Sequence, residues 1–148
     1  MRLIPLGTAG FIPTKGKETA SFLLINDKKS TAVLFDAGTG VKRLLNHKDE
    51  LENIDTLNVV FSHFHHDHTG GLTWLVRLWT GRLVFHVPIS PMVNFDGSDA
   101  IRKLTSDPFF GLPVYNWDNV DDIKTIEDEN VSVGNLSVDC IRDRKSVV

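Results

Sequence analysis

The sequence predicts a layered α/β domain in which helices cover the faces of a sheet. Three observations carry this. The first third holds short apolar runs joined by hairpin-like turns. The middle holds strand–loop–helix units. At 148 residues, 41% hydrophobic and 24% charged, the chain matches one ordinary globular domain with enough length to bury a core.

The elements follow in order. Arg2 to Leu6 reads as a strand, closed by Gly7-Thr8-Ala9-Gly10. Ala20 to Asn26 is a second strand, ended by the polar turn Asn26-Asp27-Lys28-Lys29. Thr31 to Asp36 is a third, closed by Gly38 and Gly40. Val41 to His47 carries Val41, Leu44 and Leu45 at helical spacing. Leu57 to Phe61 is apolar and rich in β-branched residues, so it reads as a buried strand. Leu72, Leu75, Val76 and Trp79 fall on one helical face. Arg82 to Val87 is a strand expected to stop at Pro88. Ser90-Pro91 is expected to open a helix, weakened by Gly97 and firmer from Asp99 to Leu104. The last third reads as strands at Leu112–Tyr115, Ile123–Glu127, Val131–Val133 and Leu136–Ile141. An acidic turn of Asp118, Asn119, Asp121 and Asp122 lies between them.

Several function classes are excluded or disfavoured. A net charge of −3 argues against a strongly basic nucleic-acid binder. The apolar runs are far shorter than the ~20 residues that span a bilayer, so no membrane partner is expected. The first residues lack a signal-peptide pattern, and the single cysteine, Cys140, fits a reducing cytosol. A cytoplasmic location is therefore expected. Gly-x-Ser-x-Gly, P-loop and Gly-x-Gly-x-x-Gly patterns are absent.

Four of the six histidines lie between positions 63 and 68, in Ser62-His63-Phe64-His65-His66-Asp67-His68-Thr69-Gly70-Gly71. His63 and His65 are two apart, so extended backbone points both to one side and onto one ion. Asp67 and His68 follow at a bend, where they are aimed at a second ion. Imidazoles with a carboxylate suit zinc, and also manganese or iron. Four fixed positions recur by chance in about one such chain in a thousand. Thr69 reads as the cap of the next helix, and the two glycines as the room that helix needs. Elsewhere, His86 reads as a buried or edge-strand histidine, His47 as a structural group at a helix end, and Cys140 as a small core residue. Trp74, Trp79, Phe109 and Phe110 read as core before base-stacking platforms. Lys15, Lys17, Lys28 and Lys29 form a small basic group that reads first as a solvated face.

His63-x-His65-x-Asp67-His68 followed by Gly70-Gly71-Leu72 resembles the signature of the metallo-β-lactamase-fold hydrolases. Leu6-Gly7-Thr8-Ala9-Gly10 with Pro13, and Leu34-Phe35-Asp36-Ala37-Gly38-Thr39-Gly40, resemble turns of its ribonuclease Z-like phosphodiesterase branch. Pro108-Phe109-Phe110 through Val114 resembles a later stretch more loosely. The resemblance implies an αββα sandwich spanning residues 1–148 as one domain, the N-terminal part of the family domain, cut short at the C-terminus. It implies two zinc ions, with His63 and His65 on the first and Asp67 and His68 on the second. It also implies phosphodiester hydrolysis by a metal-bound hydroxide that Asp67 orients. Asp36 is a candidate support behind the histidine loop, or equally a turn-capping aspartate, and His66 a candidate for the substrate side. The implied substrate is a small-molecule, nucleotide or RNA phosphodiester. The family's later ligands have no counterpart: no histidine follows His86, and Arg142 to Val148 supplies no imidazole. Asp139 and Asp143 offer only oxygen. The alternative is a non-catalytic metal-binding or interaction module that needs a partner chain, or a missing C-terminal part, to complete its site. Open sheet edges would then favour a homo-oligomer.

Overall fold

The computed structural model describes residues 1–26, 30–90, 95–127 and 130–140. β1 (Arg2–Gly7), β2 (Ser21–Asn26) and β3 (Thr31–Phe35) form an antiparallel meander. β4 (Thr56–Val60) and β5 (Arg82–Ser90) then add in parallel to β3. The short β6 (Phe95–Asp96) pairs antiparallel with the end of β5, and β7 (Val120–Ile126) lies parallel along its outer side. The register runs straight across the sheet, so one row joins Leu23, Leu34, Val59, Phe85 and Ile123. The first four are fully buried on the same face.

Helices cover that face. A 3-10 helix over Thr39–His47 runs into α1 (Lys48–Leu51). The single turn α2 (His66–Thr69) follows β4, then a 3-10 turn at Leu72–Trp74 leads into α3 (Leu75–Leu78). α4 (Gly97–Leu104) completes the layer, which buries Val41, Leu44, Leu51, Leu72, Leu75 and Ile101. The opposite face packs Val33, Val60 and Ile126 against Val133 of a hairpin, β8 (Asn130–Val133) and β9 (Leu136–Asp139). From the helix side the order is therefore helices, large sheet, small sheet. Among the described residues this hairpin is the whole second sheet. No helix among them is long and apolar enough to cross a membrane.

Several expectations need correction. The helix over Val41–His47 is tight 3-10 geometry, with Leu45 exposed. Pro88 does not stop β5. The His86 carbonyl faces β4 and accepts the Phe61 N–H at 2.9 Å. Pro88, two residues on, faces the same way but lies beyond the end of β4, where its missing N–H costs no ladder bond. Ser90 is the last residue of β5, while Pro91 lies outside the described residues. Asp96 instead caps α4, its carboxylate accepting the Ser98 N–H at 2.7 Å, and Gly97 opens that helix. Leu112–Tyr115 forms no strand. The Val114 N–H binds the Thr105 hydroxyl and the Leu112 carbonyl binds the Trp117 indole, so side chains hold this backbone in place of a ladder. Asp121 and Asp122 belong to β7 and not to a turn. The turn residues 27–29, Ile141 and the segment 142–148 lie outside the described residues. Trp79 and Phe110 join the core as expected, whereas Trp74 and Phe109 are exposed.

His86 is buried on the hairpin face. Its Nε2 lies 3.1 Å from Asn58 Oδ1, and its Nδ1 has no partner among the described residues. Burial, aided by Lys124 and opposed by Asp122, pushes its pKa down to about 4. The folded chain thus binds one proton fewer than the unfolded chain below the ordinary histidine value of about 6.5. This group leaves stability level above that pH and lowers it as pH falls toward 4. Chemical denaturation should show a loss of roughly 2 kcal/mol between pH 7 and pH 5. His86→Gln, which keeps an amide facing Asn58, should flatten that slope. An equal slope in both proteins would remove His86 as its source.

Candidate metal centre

The motif begins just beyond the end of β4, next to Phe61. Phe61 is buried, stacked on Phe64 with ring centroids 5.0 Å apart and tilted against Phe85 at 6.2 Å. The chain then turns into α2, so Asp67 and His68 sit on a helical turn and not on an open bend. Thr69 is the last residue of that turn. Its hydroxyl donates back to the His65 carbonyl at 3.1 Å, so it is not the cap of the following helix.

The histidines come together as one cluster. The His63 ring lies edge-on to His65 with centroids 4.5 Å apart, and against His68 at 4.0 Å. The Asp67 carboxylate stands 3.3 Å from His68 Nε2. His63 therefore links the two halves that the spacing alone keeps apart. Burial, reinforced by His68 and His65 and opposed by Asp36 and Asp67, pushes the His63 pKa down and favours the neutral imidazole, the form able to bind a metal.

Asp36 holds this cluster from behind. It is buried and sits at φ 58°, left-handed backbone that a non-glycine residue adopts under constraint. Its N–H reaches the Val60 carbonyl at 2.9 Å and its carbonyl accepts the Ser21 hydroxyl at 3.1 Å. Oδ1 accepts the Ser62 N–H at 2.8 Å, and Oδ2 lies 2.7 Å from His68 Nδ1. The carboxylate reaches across to the motif and does not cap its own turn.

The loop after Asp36 is pressed against α2. The Ala37 N–H donates to the His68 carbonyl and the Gly71 N–H to the Ala37 carbonyl, both at 2.8 Å. A side chain on Gly71 would meet the Gly38 carbonyl oxygen at 2.4 Å, so the expected close approach is real. Gly70 caps α2, its N–H on the His66 carbonyl at 2.7 Å.

Other candidates lie apart. His66 is exposed, its ring beside Gly70. His86 is in the sheet on the hairpin face, and His47 pairs with Glu50 at 3.1 Å. Asp139 ends β9, while Asp143 lies outside the described residues. Lys15 and Lys17 are exposed on a loop that Arg43 ties down through the Leu6 and Gly16 carbonyls. An open groove of about 590 Å³ lies between Trp74, Arg77, Phe110 and Leu112 and includes no residue of the motif.

Among the described residues no three His, Cys, Asp or Glu side chains converge as a metal-holding group. The donor chemistry nevertheless fits a divalent ion. If Nδ1–H of His68 is given to Asp36, the Nε2 lone pair faces an Asp67 oxygen at 3.3 Å. Two acceptors facing one another are reconciled by a cation between them. Ser62 was not singled out from sequence. Its hydroxyl lies within 2.9 Å of both Asp36 oxygens and 3.0 Å from His63 Nδ1. A hydroxyl immediately before the first histidine is the signal, and it has meaning only once Asp36 is known to stand beneath it.

The model of the Metallo-beta-lactamase superfamily matches residues 16–136, most of the chain and all of this site. The chain belongs to the metallo-beta-lactamase superfamily. Members are generally hydrolytic and typically bind metal ions. A ribonuclease Z from Haloarcula marismortui is 35% identical over 79 residues, which are 53% of this chain and 24% of that protein. Among solved structures, the metallo-beta-lactamase fold protein YhfI from Bacillus subtilis superposes with a TM-score of 0.63 at 18% identity. The match covers 91% of this chain and 49% of that one. A Cronobacter sakazakii metallo-beta-lactamase, a HARLDQ motif mutant, gives 0.51 at 18% identity, covering 91% and 47%. These two likenesses bear on the fold alone. The chain spans about a quarter of the ribonuclease Z and about half of each structural relative.

Proposed function

We propose that this superfamily member is a metal-dependent phosphodiesterase whose ions are held by His63, His65, Asp67 and His68. The observation that carries this reading is the histidine cluster tied to Asp36: the His65 and His68 rings both lie within 4.5 Å of His63, and His68 is pinned at Nδ1 by a buried carboxylate. Bound zinc, or manganese or iron, would make hydroxide available near neutral pH and polarise the phosphoryl oxygen. The chain's own groups supply the rest. His63 and His65 would hold one ion, and His68 with Asp67 the second. The Asp67 carboxylate would accept and orient a proton of the attacking water. Asp36 keeps the His68 ring from turning. The similarity to a ribonuclease Z supports a nucleotide or RNA phosphodiester as substrate, a cytoplasmic setting fits the single cysteine, and the domain is read as residues 1–148.

A second reading is favoured by one observation: no three donors converge among the described residues. Under it the chain is a metal-binding module whose site is completed by a partner chain or a second copy. Zinc content after purification without chelator tests both. Wild type should retain zinc, and His63→Ala or His65→Ala should lose the first ion, measured by elemental analysis. Near-zero metal in the wild type would overturn the first reading and a site shared between two copies of this chain. Light scattering with and without zinc separates them, because a shared site requires a metal-dependent dimer.

A further inference from the structure

A single hydroxyl can donate one hydrogen and accept others. The Ser62 Oγ stands 2.9 Å from Asp36 Oδ1 and 2.8 Å from Asp36 Oδ2, so its hydrogen is committed to that carboxylate. Its lone pairs then face His63 Nδ1 at 3.0 Å and His68 Nδ1 at 3.4 Å. His63 meets that acceptor only when it carries its hydrogen on Nδ1. His68 is set in the same form directly, by Asp36 Oδ2 at 2.7 Å.

We propose that Ser62 is a positioning residue that carries the hold of Asp36 from His68 across to His63, so that one buried carboxylate sets the outward-facing nitrogen of both rings. His63 and His68 fall in different halves of the metal site under the reading above, so the halves are coupled through Ser62. Only this consequence rests on that reading; the hydrogen placement itself does not. Groups that orient ligand histidines commonly matter 10- to 100-fold in metal affinity.

The hydrogen positions are read on the metal-free full chain by long-range nitrogen–proton NMR at pH 8. Wild type should show His63 and His68 with hydrogen on Nδ1, the minority form of free imidazole. Ser62→Ala should return His63 to the Nε2–H form and leave His68 unchanged. Ser62→Thr, which restores a hydroxyl, should restore His63. In zinc titrations Ser62→Ala should bind about tenfold more weakly and Ser62→Thr as wild type does. Nε2–H on His63 in the wild type overturns the proposal without any variant. Retention of Nδ1–H in a folded Ser62→Ala protein overturns it as well. A wild type that binds no zinc overturns the metal reading, while the NMR result still decides the role of Ser62.

Discussion

Asp67→Ala should abolish hydrolysis of a generic phosphodiester such as bis(4-nitrophenyl) phosphate while the chain stays folded. The Asp67 side chain is mostly buried and faces His68 Nε2 at 3.3 Å. Its place in the fold depends on its backbone, because the Asp67 carbonyl is what packs against Gly38. Removing the carboxylate therefore removes the proposed metal donor and proton acceptor without opening the core. Losing a positioned general base costs about 10²–10⁴-fold in rate, and losing an ion as well costs more. Rates measured with added zinc or manganese, alongside thermal melts, check this. An Asp67→Ala protein as active as wild type would refute the catalytic role, and a wild type inactive with either metal would refute hydrolysis by this chain.

Gly38→Ala is expected to be the most damaging small substitution near the site. The added Cβ would lie 2.3 Å from the Asp67 carbonyl oxygen, 2.6 Å from the Ala20 carbonyl oxygen and 2.5 Å from Thr19 Oγ1. Two of these are backbone atoms of packed elements, which have no rotamer to change. Overpacking of this kind costs about 3 kcal/mol and displaces the turn that backs α2. Urea denaturation should show that loss, and zinc retention should fall with it. Gly10→Ala is the control, since nothing lies within 4 Å of its Cβ position. Equal stability of the two variants would show that the Gly38 turn yields without cost.

Local sequence pattern places the strands at Arg2–Leu6, Thr31–Asp36, Leu57–Phe61 and Leu136 onward to within a residue or two among the described residues. Each is a run of apolar or β-branched residues closed by turn chemistry, which acts locally. Leu112–Tyr115 misled because its apolar side chains serve packing while Thr105 and Trp117, several residues away, hold its backbone. The start of α4 misled because Ser90 and Asp96 are both cap-forming residue types; Ser90 ends β5, and the Asp96 carboxylate is the one that meets the Ser98 N–H.

The same divide runs through the site. Residue types and spacing by themselves singled out His63, His65, Asp67 and His68 as the candidate donor set, because ligand chemistry depends on side-chain identity and on a short stretch of backbone. Only the tertiary structure decided between a turn cap and a support for Asp36. It did so by placing the end of β3 beside the end of β4 in parallel register, with Asp36 N–H on the Val60 carbonyl. That pairing sets a buried carboxylate under Ser62 and His68, 26 and 32 residues onward. A hydrogen bond over that separation depends on sheet register and twist, which no local pattern specifies.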